Sequence, residues 1–271
     1  MSNKESTART LVVALAVSLV ASIFVAGSAV YLKPEQQKNR LLDRQRSILA
    51  IAGIDGTALS GEQVIALYNR RIKAEVIDLS TGEVDPNLNP VSFDALKAAK
   101  DPKTSIELPG KEDIALIKRR ENYTTVYRLE KDDGSGTLEA LILPVRGYGL
   151  WSTLYGFLAI KPDLNTVVGL GFYQHGETPG LGGEVDNPAW KARWPGKTLF
   201  GEGGHPVVIR IVKGGVPQGS PDAGHQVDAL AGATLTSKGV NHLLTFWLGE
   251  QGFGPYLEKL RQTAESNGQR G

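Results

Sequence analysis

The sequence predicts an α+β protein, with a single N-terminal transmembrane helix followed by one soluble domain that has a mainly antiparallel sheet and flanking helices. The first 32 residues include a 23-residue stretch without a charge, Thr10 to Leu32, which is long enough to span a bilayer. From Tyr123 onward, short apolar runs alternate with turn sequences, as in a meandering sheet. Near the end, residues 240–248 carry apolar side chains at the spacing of a buried helix face. Helices at both ends of the chain and strands between them are typical of the α+β class.

Composition excludes several classes of function. The chain has 271 residues, 41% of them apolar, which is ample for a packed core. Its formal charge is +1 without a long block of one sign, so no nucleic-acid surface is expected. The absence of cysteine excludes disulfides, thiolate metal sites and cysteine nucleophiles within this chain. No metal site is expected either, because the four histidines have no second ligand at metal spacing: His175, His205, His225 and His242.

The apolar N-terminal stretch has two interpretations. The small residues Ala26, Gly27 and Ser28 resemble a signal-peptidase site, but the apolar core of a signal peptide spans only about 7–15 residues, so an uncleaved anchor is favoured. The charge pattern alone would place the large domain in the cytoplasm, because the positive residues concentrate after the stretch. Lys4 and Arg9 precede it, and the residues that follow it closely are Lys33, Lys38, Arg40, Arg44 and Arg46.

Two further helices are predicted before the sheet. An amphipathic helix leaves the membrane and ends near Gly53, with a stripe formed by Leu41, Leu42, Ile48, Leu49 and Ala52. Ser60 followed by Gln63 is a capping box, which predicts a helix that runs to about Arg71. A first strand follows over Lys73–Ser80, and a loop rich in Pro, Asn and Asp extends from about Thr81 to Leu108.

The predicted sheet comes from four closely spaced runs, TTVYRLE, LEALILPV, LWSTLYGFLAI and TVVGLGFYQ, with turns at DDGSG, RGYG and KPDLN. Another strand is predicted over Val207–Val212. The final helix contains SKGVNHLLTFWLG, whose buried face would consist of Val240, Leu243, Leu244, Trp247 and Leu248.

A glycine-rich segment, HGETPGLGGE, spans His175 to Glu184 directly after a predicted strand. Its glycines permit positive φ angles and the close approach of a flat ligand. It lacks the dinucleotide-binding pattern G-x-G-x-x-G, and the chain has neither a Walker motif nor a G-x-S-x-G elbow. Either a structural loop or a ligand site is consistent with these residues.

A second motif, DALAGATLTS, spans Asp228 to Ser237 just before the final helix. Thr236 or Ser237 would make a good N-cap for that helix. Alternatively, a phosphate on the hydroxyl of Thr234 would lie near the unpaired N–H groups and the positive dipole end of the helix. The residues alone therefore leave open a helix cap and a phosphate-bearing or phosphate-binding threonine.

This motif resembles the flavinylation motif of the bacterial FMN-binding domain family, in which a threonine carries FMN through a phosphoester bond. The resemblance implies that Thr234 is the attachment residue and that Asp228 is the acid that opens the motif. Where many members have Ser or Thr, this chain has Ala231. The remaining motif residues would adjoin the cofactor: Gly232, Ala233, Leu235, Thr236 and Ser237.

Three longer segments, Gly147–Ile160, His175–Lys197 and Phe246–Arg261, resemble the C-subunit family of sodium-translocating NADH:quinone oxidoreductases. The G-subunit family of Rnf electron-transport complexes shares the threonine motif and an ETPGLG-like loop, and it remains the alternative. Residues 149–153 and 253–255 favour the first family. A third hypothesis is a membrane-anchored binding or assembly module without redox function.

The resemblance implies a one-electron relay in a translocating oxidoreductase, with no NADH site and no catalytic acid or base of its own. It implies as partners the other subunits of the complex, membrane lipid and a flavin transferase during maturation. Against the charge pattern, it implies a single-pass protein of the bacterial inner membrane with its flavin domain on the periplasmic side, since large domains translocate despite their charge. Further residues expected around the flavin ring are Trp151, Thr153, Glu177, Thr178, Gly180 and Leu181.

The resulting division of the chain has five parts. They are an N-terminal tail (1–9), the transmembrane anchor (10–32), a membrane-proximal helical and strand region (33–120), the FMN-binding domain (121–261) and a flexible C-terminal tail (262–271).

Overall fold

A computed structural model describes residues 7–217 and 219–268. Parts of the two predicted tails, residues 1–6 and 269–271, lie outside the described residues. The chain divides into two compact units, Met1–Arg44 and Gln45–Gly271.

The predicted membrane stretch lies in helix α1, Thr7–Ile51, whose apolar part is long enough to cross a membrane by length and composition. The predicted helix that leaves the membrane is the C-terminal part of this same helix, because α1 continues through Pro34 to Ile51. Strong helix formers such as Gln, Leu and Arg fill the stretch after Pro34, and no glycine interrupts it. Of the predicted stripe, Ile48, Leu49 and Ala52 are buried, whereas Leu41 is exposed.

Gly53 ends α1 as predicted. Its φ of +88° is accessible to glycine at little cost. The N–H of Gly53 donates to Ala50 O at 3.1 Å and the N–H of Ile54 donates to Leu49 O at 2.9 Å. This pair of bonds is the Schellman motif, which satisfies the last carbonyl groups of a helix.

Helix α2, Gly61–Arg71, begins with the predicted capping box. The Ser60 hydroxyl accepts from Gln63 N at 3.3 Å, and the Gln63 side chain accepts from Ser60 N at 2.9 Å. Strand β1 follows directly over Ile72–Asp78. The predicted long loop contains two elements that its composition does not indicate, helix α3 (Ala95–Ala98) and strand β2 (Ser105–Glu107).

The main sheet is five-stranded and entirely antiparallel, with the order β1-β4-β5-β6-β7. This confirms the predicted meander. Strand β3, Arg119–Glu121, pairs with β2 in a separate two-stranded sheet. The strands that complete the main sheet are β4 (Tyr123–Glu130), β5 (Leu138–Tyr148), β6 (Thr153–Ile160) and β7 (Val167–Gln174).

The predicted position of one turn is wrong. Arg146, Gly147 and Tyr148 pair with Tyr155, Leu154 and Thr153, so β5 runs through most of the predicted RGYG turn. The chain instead reverses over residues 149–152, of which the apolar pattern assigns residues 150–152 to the start of a strand. Leu150 and Trp151 are exposed in this turn. Packing in the core therefore does not account for the apolar residues at these two positions.

The C-terminal part supplies the helix that covers the sheet. Strand β8, Arg210–Val212, is shorter than predicted and pairs in parallel with β9, Gln226–Asp228. After the short helix α4 (Pro188–Lys191), helix α5 spans Thr234–Leu248 and buries every residue of its predicted face. Helix α6, Gly254–Gly268, extends into the predicted tail, so that residues 262–268 are helical.

The core lies between α5 and the sheet. Leu141, Leu143 and Val145 of β5 share one buried cluster with α5 residues such as Leu243. The indole of Trp247 donates to Arg146 O at 2.6 Å, which fixes the helix against β5. Beside it, the buried Arg146 guanidinium donates to both carboxylate oxygens of Glu121, at 2.7 and 2.5 Å.

Candidate functional site

Thr234 is the first residue of α5, and its side chain is exposed. The N-cap of α5 is Ala233, and no side chain of the described residues caps this helix. The prediction of a cap at Thr236 or Ser237 is therefore wrong. Gly232, with a φ of +73°, turns the chain so that the helix begins before those hydroxyls.

Thr236 and Ser237 are instead buried in the first turn of α5. The Ser237 hydroxyl accepts from Leu230 N at 3.0 Å and thereby holds the turn that precedes the helix. Within residues 7–217 and 219–268, no side chain accepts from the first-turn N–H groups of α5 at Thr234, Leu235 and Thr236. These donors and the helix dipole favour an anion beside the exposed Thr234 hydroxyl.

Glu177 joins the three segments that surround this helix start. Its Oε1 accepts from the backbone N–H groups of Leu150, Trp151 and Ser152 at 3.1, 3.0 and 3.2 Å. Its Oε2 accepts from the Thr236 hydroxyl at 2.7 Å. Residues 149–152, the glycine-rich loop 175–184 and the turn 230–237 therefore meet at one carboxylate. We call this arrangement the Glu177 latch. Because the turn 230–237 contains Thr234, the predicted acceptor of the flavin phosphate, we call it the acceptor turn.

The latch favours an ionised carboxylate. Burial of Glu177, which is 5% exposed, acts to raise its pKa. The hydrogen bonds from the Thr236 hydroxyl and from the N–H groups of Trp151, Ser152 and Leu150 act in the opposite direction and prevail, so the pKa lies below its usual value. Although Glu177 was expected beside the flavin ring, its carboxylate is occupied by protein groups.

Glycines make room for the latch. A Cβ on Gly182 would lie 2.5 Å from Thr236 Oγ1 and 2.6 Å from Glu177 Oε2, and a Cβ on Gly149 would lie 2.6 Å from Glu177 Oε1. These distances are too short for any side chain. The glycine-rich loop was expected to leave space for a flat ligand, but Gly182 provides space for the carboxylate.

His175 accepts a hydrogen bond from the backbone of Glu177 and thereby helps to fix its position. Its Nδ1 accepts from the Glu177 N–H at 3.2 Å, and its Nε2 lies 2.7 Å from Asp186 Oδ2. A histidine that accepts at Nδ1 carries its proton at Nε2, where it donates to Asp186. Among the described residues, no cluster of three or more His, Asp and Glu side chains could hold a metal ion.

Asp228 anchors the start of the acceptor segment. Its carboxylate accepts from Val216 N at 2.6 Å and from the Arg193 guanidinium. Its carbonyl oxygen accepts from the indole of Trp190 at 2.9 Å. Sequence reasoning identified Asp228 but missed its partner Arg193. The opposite charges of the two residues suggest an ion pair only when the fold is known to bring them together.

Apolar side chains form an exposed rim around the latch. Trp151 is 66% exposed and Leu235 is 55% exposed, and Leu150 and Leu181 also face solvent. A Cβ on Gly232 would meet Leu181 Cδ2 at 3.2 Å, which shows that the glycine-rich loop lies against the acceptor turn. Such a rim suits a flat aromatic ligand whose phosphate is held at the start of α5.

The other residues predicted to contact the flavin lie near the Glu177 latch but do not hydrogen-bond to Glu177. Thr178 and Gly180 lie in the glycine-rich loop, where Thr178 O accepts from the N–H groups of Leu181 and Gly183 at 3.1 and 2.9 Å. Thr153 begins β6 opposite Tyr148 and is partly buried. The structure thus brings the predicted residues of loops 149–153 and 175–184 to the region of the acceptor turn.

Comparison with known proteins identifies the family of the chain. The model of the FMN-binding domain family matches residues 149–249. The chain is 63% identical to the C subunit of the Na(+)-translocating NADH-quinone reductase of Pseudomonas aeruginosa, covering 97% of this chain and 99% of that protein. It is 48% identical to the protein of the same name from Yersinia pestis, covering 98% and 97% of the two chains.

Solved structures show the same fold. The crystal structure of Shewanella oneidensis NqrC superimposes with a TM-score of 0.74 at 39% identity, over 84% of this chain and 99% of that one. The C subunit of the Na(+)-translocating NADH-quinone reductase from Parabacteroides distasonis gives a TM-score of 0.64 at 27% identity, over 83% and 96% of the two chains.

Proposed function

The chain belongs to the family of C subunits of Na(+)-translocating NADH-quinone reductases, and from this premise we propose that it carries FMN covalently on Thr234 within such a complex. An ester bond joins the Thr234 hydroxyl oxygen to the flavin phosphate, with the formal loss of water. A flavin transferase makes this bond during maturation. Bound there, FMN supplies one-electron transfer, and the chain relays single electrons between other redox centres of the complex.

The observation that carries the proposal is the contrast between neighbouring hydroxyls. Thr234 is exposed at a helix start that no described side chain caps, whereas Thr236 is fully buried and bonded to Glu177. Of these two threonines, Thr234 alone can accept a bulky substituent without unfolding the first turn of α5. The first-turn N–H groups then offset the negative charge of the phosphate.

The protein residues position the cofactor and do not react with it. The exposed rim of Trp151, Leu181 and Leu235 gives the isoalloxazine an apolar surface. Thr153 at the start of β6 borders it, as do Thr178 and Gly180 in the glycine-rich loop. The Glu177 latch holds these loops at fixed distances from Thr234. A flavoprotein controls its cofactor mainly through such contacts and through the orientation of the ring.

We assign the flavin domain to residues 121–261, which extends the 149–249 match to include β4, β5 and the packed part of α6. Residues 33–120 form the membrane-proximal region, and residues 10–32 form a single-pass anchor in the bacterial inner membrane in contact with lipid. The flavin domain lies on the periplasmic side. The apolar part of α1 supports the anchor, and the family resemblance supports the orientation.

The test is the intact mass of the chain purified from its native membrane, followed by peptide mapping across residues 228–237. We expect a mass gain of FMN minus water on Thr234. Thr234→Ala abolishes the gain and leaves the fold intact. Thr245→Ala, an exposed threonine of the same helix, is the matched control and retains it. Covalent FMN in the Thr234 variant, or an unmodified wild-type peptide where the transferase is present, contradicts the proposal.

The subunits that are purified together with the chain distinguish the assigned complex from an Rnf-type complex. A non-redox assembly module would carry no chromophore, whereas covalent flavin absorbance survives denaturation.

A further inference from the structure

A cavity of about 450 Å³ opens between α3, the segment 117–119 and the ends of β5, β6 and β7. None of the residues that form the Glu177 latch lines it. Its lining contains no carboxylate. The cationic lining residues are Lys100, Lys118, Arg119 and Arg146, and the neutral polar ones are Tyr155 and Gln174.

Two of these cations have no acidic partner. The guanidinium of Arg146 is paired with Glu121, and that of Arg119 lies 3.3 Å from the exposed Glu107. Lys100 and Lys118 form no ion pair with any side chain in the described part of the chain, and both are exposed at the cavity. The cavity therefore carries an excess of positive charge that an anionic ligand would offset.

The back wall is held by the sheet. Arg146 of β5 lies directly opposite Tyr155 of the neighbouring strand β6. Tyr155 in turn lies directly opposite Gln174 of β7. Directly opposed residues of antiparallel strands project from the same face. The guanidinium, the phenol hydroxyl and the carboxamide thus form a row of hydrogen-bonding groups. The bidentate bond to Glu121 and the Trp247 ring, 5.2 Å from the guanidinium carbon, restrict Arg146 further.

The front wall is held in a strained conformation. Lys118 has a φ of +64° and Leu116 a φ of +53°, which are costly for residues other than glycine. The buried Asp113 carboxylate accepts from the N–H groups of Ile117 and Lys118 at 2.8 and 2.7 Å and stabilises this path. Backbone strain of this kind occurs at ligand-binding sites, where the surrounding structure maintains it.

We propose that this cavity binds the phosphate group of a small anionic ligand, either a free phosphate compound or the headgroup of an acidic lipid. Lys100 and Lys118 contact the phosphate oxygens, and the row formed by Arg146, Tyr155 and Gln174 completes the site. Leu96 and Ile117 line the cavity as well and offer an apolar surface to the organic part of such a ligand. The site is distinct from Thr234 and does not require the flavin.

The test measures how strongly each lysine is protected from an amine-reactive reagent, with peptide mass spectrometry as the readout. The full-length chain is placed in nanodiscs of phosphatidylcholine, with or without inorganic phosphate, and in nanodiscs that contain phosphatidylglycerol. Lys131 and Lys161, in the turns at the opposite end of the strands, are internal controls. We expect Lys100 and Lys118 to be protected at least several-fold while the control lysines stay reactive.

Each arm has a defined meaning. Protection by inorganic phosphate identifies a free phosphate ligand, and protection only with phosphatidylglycerol identifies a lipid headgroup. No protection in either arm, or equal protection of Lys131 and Lys161, overturns the proposal.

Substitutions distinguish binding in the cavity from a general attraction of anions to the positive charge of the chain. Lys100→Gln with Lys118→Gln should weaken phosphate binding in calorimetry by about tenfold or more, because charge-assisted hydrogen bonds to the anion are lost. Lys131→Gln with Lys161→Gln removes the same charge and should leave the affinity unchanged. Leu96→Trp fills the cavity without a change of charge and should also abolish protection. Binding unaffected by both the first double variant and Leu96→Trp would contradict the proposed location.

Discussion

At the scale of single residues, Glu177 is the group on which the site depends. Replacing it by alanine leaves three backbone N–H groups and the buried Thr236 hydroxyl without their acceptor. We expect Glu177→Ala to lower the free energy of unfolding by about 2–4 kcal/mol, since unsatisfied buried donors are costly. Urea denaturation of the full-length chain in detergent, followed by tryptophan fluorescence, measures the change.

The control for this variant is Glu202→Ala, which removes an exposed carboxylate from a short 3-10 helix, Glu202–Gly204. It should change the free energy of unfolding by no more than about 0.5 kcal/mol. Equal effects of the two substitutions would show that the Glu177 latch does not stabilise the fold.

The latch also predicts a pH dependence. Because hydrogen bonds hold the pKa of Glu177 below its usual value in the folded chain, its contribution to stability is fully present above the pKa of an unfolded glutamate, about 4.3. That contribution is lost as the pH falls through the lower folded value. Glu177→Gln should therefore be less stable than wild type at pH 7, with a difference that narrows below about pH 4. If the difference in stability between wild type and Glu177→Gln stayed constant from about pH 7 to about pH 3, the ionised carboxylate would not be the cause of that difference.

At the scale of elements, the glycine-rich loop fits against α5 only because Gly182 has no side chain. Gly182→Ala would place a methyl group 2.5 Å from Thr236 Oγ1. Both Thr236 and Glu177 are held by hydrogen bonds that a shift would break. We expect a loss of about 1–3 kcal/mol in stability and a reduced fraction of chains with covalent flavin. Thermal denaturation and intact mass report the two effects.

Gly110→Ala is the matched control, because a Cβ at Gly110 meets no atom within 4 Å. A Gly182 variant that behaves like this control would show that the loop and α5 are not packed as described.

The elements themselves were predictable to different degrees. The capping box of α2, the meander and the buried face of α5 follow local rules that a sequence displays directly. The turn at 149–152 was misplaced because its apolar residues Leu150 and Trp151 follow the pattern of a strand although both are exposed. The start of α5 was misplaced because a positive φ at Gly232 outweighed the preference for a hydroxyl cap.

The site was less accessible to sequence reasoning than the fold. The family motif led to the exposed Thr234, which is the proposed attachment residue, and to the acid Asp228. The role of Glu177 could not be identified in this way, because it depends on contacts with Trp151 and Thr236, which lie 26 and 59 residues away in sequence. Local patterns carry no signal for such contacts.

At the scale of the whole molecule, the orientation in the membrane can be tested cleanly because the chain has no cysteine. A single cysteine introduced by Ser135→Cys, in the exposed turn between β4 and β5, should react with a membrane-impermeant maleimide in cells whose outer membrane alone is permeabilised. Ser2→Cys, ahead of the anchor, should react only after the inner membrane is disrupted. The reverse pattern would favour the positive-inside rule over the family resemblance.

The three segments that form the Glu177 latch are synthesised at different times. During synthesis the turn at 149–152 is made first, the glycine-rich loop next and the turn at 230–237 last, yet all three must meet at one carboxylate. A nascent chain that has not yet delivered α5 therefore lacks the Thr236 hydroxyl that donates to Glu177, and its helix start has not formed. The helix start that would hold the proposed flavin phosphate exists only once α5 has packed, so the proposed attachment at Thr234 would follow folding.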